Sequence, residues 1–322
     1  MTEHGPPRTR RTNPRPSGRR LRRSAYRRVD SPLRMAWPAG ASLAAFVAVL
    51  ILSSLPLWLL LGSVRLGGLG LLLPASALMF ACPAIVATVL AALEGGRAGA
   101  TALWRRSVAV TVTRHAGWSV AAVVLLPALV LLAAILDHGP GTLPPSPVPL
   151  TAVPVLVAVY LAAALAEEVG WTTYLTDRLL RRFGTTGTGL VLGAMWAAWH
   201  VVPYVQIGRG AGWIVWQCLA TVATRVLIVE VYARSGRCVP IAVAMHAGLN
   251  VATAALPGGG PDLDPAPVAV VLTVAALVAA GIHPARRVRT RHVPPDEVLP
   301  RRDHSVGSRR HTSSTDVPDA YD

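Results

Sequence analysis

Five titratable side chains interrupt otherwise apolar stretches of this sequence: Glu167, Glu168, His200, Arg225 and His246. Asn250 follows His246 by four residues, and Trp196 precedes His200 by four. Each pair therefore shares one face of a helix. Glu167 and Glu168 are adjacent, so their side chains diverge by roughly 100° and cannot play identical parts. A carboxylate shielded from water is a competent general base for a water held by a histidine. A second histidine with an amide can stabilise a developing oxyanion. Together these are the parts for water attack on a peptide carbonyl. Glu167, His200 and His246 could equally ligate a divalent metal such as zinc with one position open. Their spacing lacks the short pattern of a helix-borne zinc motif. The residues alone leave the zinc and metal-free chemistries equally open.

The elements that must position these groups are apolar. The chain has 322 residues and is 52% hydrophobic, with a mean hydropathy of +0.47. Many windows of span length carry no charge, which is the signature of transmembrane helices. A soluble enzyme, a secreted disulfide scaffold and a DNA-binding domain are all poor fits. The fold class expected is an all-α, polytopic membrane bundle of about eight helices. The spans fall near 39–62, 69–93, 116–136, 148–175, 187–207, 211–233, 238–256 and 266–282. Residues 94–115 are expected to form an interfacial connector. Three segments result: a disordered Arg-rich tail (1–36), the membrane domain (37–283) and a second disordered tail (284–322). The cysteines, Cys82, Cys218 and Cys238, have no metal-binding spacing.

The formal net charge of +15 comes entirely from arginine. Its distribution points to membrane topology and anionic headgroups, with no nucleic-acid partner. Twenty-eight of the 31 arginines flank one set of span ends, and only Arg65 and Arg209 flank the other. This asymmetry predicts cytoplasmic N- and C-termini, in what is expected to be a bacterial cytoplasmic membrane. Glu167, His200 and His246 each lie about 14–16 Å from the arginine-rich ends of their spans. That common level predicts one shared pocket beneath the cytoplasmic surface. Glu230, near the same end, is expected to reach water.

Three segments carry a family resemblance. Glu167-Glu168-Val169-Gly170-Trp171-Thr172 resembles the EExxxR-type first motif of the CAAX-type intramembrane proteases, also called the CPBP family. Trp196-Ala197-Ala198-Trp199-His200 resembles its second motif, an aromatic four residues before a histidine. His246-Ala247-Gly248-Leu249-Asn250 resembles the third, HxxxN. The resemblance covers roughly residues 100–256 and implies an eight-helix bundle that cleaves peptides in or near the membrane. By that resemblance Glu167 activates water with His200, His246 and Asn250 form the oxyanion site, and Glu168 supports them. The implied substrate is a peptide or lipidated peptide. Eukaryotic relatives trim prenylated C-terminal tails, and bacterial relatives are linked to bacteriocin maturation or self-immunity.

The first motif departs from the family at its last position, where Thr172 replaces the arginine. Arg225 has no other evident partner and is expected to supply the missing charge to Glu168. Trp196 stands where phenylalanine is usual and keeps an aromatic wall. Thr172 also keeps open a non-catalytic alternative, a membrane scaffold or bacteriocin-immunity protein that binds peptide in the same cavity. A proton-coupled transporter is a further alternative, since buried carboxylates and histidines also form relays. The absence of internal repeats counts against it.

Overall fold

The computed structural model describes residues 1–2, 38–61, 65–66, 73–110, 116–260 and 263–281. The tails expected at 1–36 and 284–322 lie outside the described residues, apart from residues 1 and 2. Eight α-helices occur among the described residues. They are α1 (Ala39–Leu61), α2 (Cys82–Val108), α3 (Ala116–His138), α4 (Val153–Glu168), α5 (Asp177–Gln206), α6 (Ala211–Arg234), α7 (Val239–Ala255) and α8 (Pro265–Gly281). A π-helical segment, Val169–Thr176, joins α4 to α5. The non-helical exception is a two-residue antiparallel pairing of Arg65–Leu66 with Leu73–Pro74.

Apolar composition decides what these helices do. Five helical stretches are long and apolar enough to cross a membrane, and α7 and α8 are shorter apolar helices. One of the five runs continuously from Leu150 to Gln206, yet it cannot be one rod. Glu167 and Trp196 are 29 residues apart in sequence and hydrogen-bonded at 2.7 Å. At about 1.5 Å per residue a straight helix would separate them by more than 40 Å. The chain doubles back at Gly184, whose φ of 67° breaks the helix and favours glycine.

Burial is inverted relative to a soluble protein. Leu59, Leu60 and Leu277 are 78%, 73% and 67% exposed, while Glu168 and Arg225 are 0% exposed. Apolar side chains on the perimeter with ionisable ones inside are the pattern of an integral membrane bundle. α1, α2, the π-helical segment and α5 share one core containing Phe46, Leu50, Trp171 and Trp199. α3, α6, α7 and α8 share another containing Leu126, Ile228, Met245 and Leu272. α4 packs Ala164 against Tyr232, Val243 and Ala247.

The tightest approach is between α5 and α6. A Cβ on Gly189 would lie 2.6 Å from Val226 Cα, and one on Gly193 would lie 2.9 Å from Val222 Cα. Gly189 and Gly193 form a small-xxx-small stripe, which lets two membrane helices touch backbone to backbone. That contact brings Trp196, on α5, against Arg225, on α6.

Two expected boundaries change. The second span is expected from residue 69, and residues 69–72 lie outside the described residues; beyond them Leu73–Pro74 are extended, residues 75–81 form a 3-10 turn, and α2 starts at Cys82 with Pro83 in its first turn. The connector expected at 94–115 is helical as far as Val108. It follows a break at Gly95–Gly96, where Gly96 has φ 62°, and the alanine-rich residues beyond resume the helix.

Candidate active site

The two glutamates sit where α4 widens into the π-helical segment. Such wide turns recur at functional sites because they re-aim side chains without ending the helix. Here the consequence is a division of labour.

Glu168 is fully buried and saturated with donors. Arg225 Nη1 donates to its Oε2 at 2.8 Å, Thr172 Oγ1 donates to the same oxygen, and His246 Nδ1 lies 2.9 Å from Oε1. Glu168 thereby joins α4, the π-helical segment, α6 and α7. The threonine at the motif's last position contacts the carboxylate, and the cation beside it comes from a different helix.

Glu167 faces the other way, into a cavity of about 310 Å3 that Trp196, His200, His246 and Asn250 also line. Its Oε2 accepts a hydrogen bond from Trp196 Nε1 at 2.7 Å. Trp196 is the hub of the site. Its carbonyl lies 2.8 Å from His200 Nδ1. Its ring lies beneath the Arg225 guanidinium, 4.3 Å from Cζ, and meets the His246 ring edge-on at 4.8 Å. The aromatic wall expected from sequence thus also donates and accepts hydrogen bonds. Its indole N–H is a donor that phenylalanine lacks, and that was the available signal.

The tautomers follow from the partners. A carbonyl oxygen only accepts, so His200 Nδ1 must carry its proton toward Trp196. Glu168 holds His246 Nδ1 in the same manner. Both imidazoles therefore keep Nε2 for chemistry. Trp199 packs edge-on against His200 at 4.9 Å, and Tyr204 stacks on it at 6.0 Å. Asn250 lies one turn along α7 from His246 and lines the same cavity.

A metal makes a further demand on the donors. An imidazole with Nδ1 bonded to a carboxylate or carbonyl suits a ligand at Nε2. Yet among the described residues no three His, Cys, Asp or Glu side chains are gathered closely enough to share an ion. Glu167, His200 and His246 line one cavity without forming such a cluster.

Sequence reasoning missed several polar groups. Tyr160, Tyr204, Gln217, Thr221 and Thr224 also line the cavity. Gln217 within an apolar span was a visible signal. Toward the arginine-rich ends, Arg106 Nη2 donates to Asp177 and, at 2.6 Å, to Tyr232 Oη. Arg178 pairs with Glu94, which also accepts from Tyr174 Oη at 2.6 Å. Glu230 does not simply reach water. It is buried, paired with Arg234 at 2.9 Å, and accepts from Thr186 at 3.1 Å, because α5 packs against that end of α6.

The fold and the buried Glu–His–Trp cluster define an integral membrane protein of the helical-bundle type with a polar site inside it. Residues 149–252, which hold α4 to most of α7 and every residue named in the three motifs, match the family model described as Type II CAAX prenyl endopeptidase Rce1-like. The resemblance drawn from the motifs and this match agree on the family. No curated protein matches the chain.

Proposed function

We propose that the protein is an intramembrane endopeptidase of the CAAX type that hydrolyses a peptide bond with water activated by Glu167. The reading adds that the chain crosses the membrane eight times with both tails in the cytoplasm of a bacterium. Glu167 takes a proton from a water held beside His200 Nε2. The hydroxide attacks the scissile carbonyl carbon, and its oxygen becomes an oxyanion. The Asn250 side-chain amide donates to that oxyanion. His246 can do so from Nε2 only while it carries both ring protons, with Nδ1–H given to Glu168. Glu167 then returns the proton to the leaving nitrogen as the C–N bond breaks.

The observation that carries this reading is the placement of the Glu167 carboxylate. Trp196 holds it on the wall of the cavity that both imidazoles and Asn250 line. Thr172 was the reason to consider a scaffold or immunity protein, and that reason weakens because Arg225 supplies a cation to Glu168. The substrate is a peptide, with or without a lipid, and the arginine-rich tails suit an anionic membrane surface. The test is Glu167→Gln in the full chain, with cleavage read by comparing membrane peptides from cells that carry each form. Loss of a cleavage product with the variant folded is the expected result, and an unchanged peptide profile would overturn it.

A further inference from the structure

We propose that substrate enters the cavity from the extracytoplasmic side, so that the peptides cut are exported or membrane-anchored segments outside the cytoplasm. This rests on the protease reading above and adds a direction and a substrate class to it.

The argument starts from which half of the bundle lines the cavity. On α5 the lining residues Trp196, His200 and Tyr204 climb toward the helix end at Gln206. On α7, His246, Asn250 and Thr253 climb toward the end at Ala255. These two ends lie on one side of the molecule. The Ile207–Gly210 turn joins α5 to α6 there, and Ser146 Oγ donates to Ala255 O at 2.6 Å, tying the end of α7 to the segment that enters α4. At this end the cavity lining extends to Ile207, Arg209, Gly260 and Leu263, which we take as its mouth. Trp196 and His246 sit ten and nine residues below their helix ends, about 15 Å deep.

In the other direction the described side chains are closely buried. Glu168, Thr172 and Arg225 form a fully buried layer immediately past Glu167. Trp171 and Tyr174 are buried behind it, followed by the Arg106–Asp177–Tyr232 network. The arginines mark the sides. Arg178, Arg181 and Arg182 follow the π-helical segment, Arg234 ends α6 and Arg237 lies between α6 and α7, all at the filled end. Arg209 is at the mouth. Arginine-rich loops stay in the cytoplasm, so the mouth faces out. The level shared by the polar residues is as the sequence implied, but the cavity opens away from the cytoplasmic surface. A depth of about 15 Å also requires about four to five extended residues between the mouth and the scissile bond.

Cysteine accessibility tests this in intact cells. The background carries Cys218→Ser, since Cys82 and Cys238 are buried. Leu263→Cys probes the mouth, Thr253→Cys the cavity wall, and Arg182→Cys, an exposed residue at the opposite end, is the control. The probe is a small, permanently charged methanethiosulfonate that does not cross membranes. Leu263→Cys and Thr253→Cys should lose their free thiol in intact cells, and Arg182→Cys only after permeabilisation. The reverse pattern overturns the orientation. Reaction at Leu263→Cys from outside, with Thr253→Cys reacting only from the cytoplasmic side, overturns the entry path. Gln217→Cys replaces Thr253→Cys if the latter does not accumulate. The labelling needs no turnover, so it holds or fails independently of the Glu167→Gln assay.

Discussion

Arg225 and Glu168 lie 57 residues apart on different helices and meet at 2.8 Å with neither side chain exposed. In an apolar interior such a pair is held by its remaining hydrogen bonds as much as by its charges. Here Glu168 also receives Thr172 and His246, and Arg225 also covers the Trp196 ring. The pair thus sets both the imidazole and the indole that flank Glu167.

Arg225→Ala should therefore act on stability and on the site together. It leaves Glu168 without its arginine partner, at a cost of up to ~3–5 kcal/mol that Thr172 and His246 reduce. Thermal unfolding in detergent reads that loss. Adding Thr172→Arg to Arg225→Ala places a cation within reach of the same carboxylate and should recover part of both stability and cleavage. A double variant no better than the single one would show that the position of the charge matters more than its presence.

Trp196→Phe keeps the ring and removes the donor to Glu167. The fold should survive, because the ring still packs between Arg225 and His246. Cleavage should fall about 10–150-fold, the equivalent of losing one hydrogen bond to a charged group, about 1.5–3 kcal/mol. The loss should appear in kcat more than in KM if the indole aims the base and does not bind substrate.

The α5–α6 contact should tolerate no added carbon. Gly193→Ala brings a Cβ within 2.9 Å of Val222 Cα and should cost about 1–3 kcal/mol through overpacking. Gly212→Ala, where nothing lies within 4 Å, should leave stability unchanged or raise it by up to about 1 kcal/mol through helix propensity. Comparing the two separates helix crossing from helix propensity.

Metal analysis of the purified protein addresses the donor set. Substoichiometric zinc, with cleavage insensitive to chelators, is expected from donors that line a cavity without clustering. Stoichiometric zinc with chelator-sensitive cleavage would return Glu167, His200 and His246 to the role of ligands.

How much of this was legible beforehand differs by level. Helices and their apolar character could be read directly, because a membrane interior requires long runs without charge and makes each exception conspicuous. Glu167, Glu168, His200, Arg225 and His246 stood out for that reason. The break at Gly184 and the interruption at Gly95–Gly96 also left glycine signals. Glu94, Asp177 and Glu230 passed unremarked or were assigned to water, because residues near span ends resemble solvated ones until a neighbouring helix covers them.

The sequence by itself determined that the chain is a helical membrane bundle, which side chains are out of place in lipid, and which ends carry the arginines. Only the tertiary structure decided that Glu167 faces the cavity while Glu168 faces Arg225, and that the cavity lies in the half away from the arginines. Adjacent residues differ by about 100° around a helix, and which direction meets a cavity depends on neighbours far away in the chain. Those neighbours are set by how closely helices such as α5 and α6 approach, a relation between elements that no single stretch encodes.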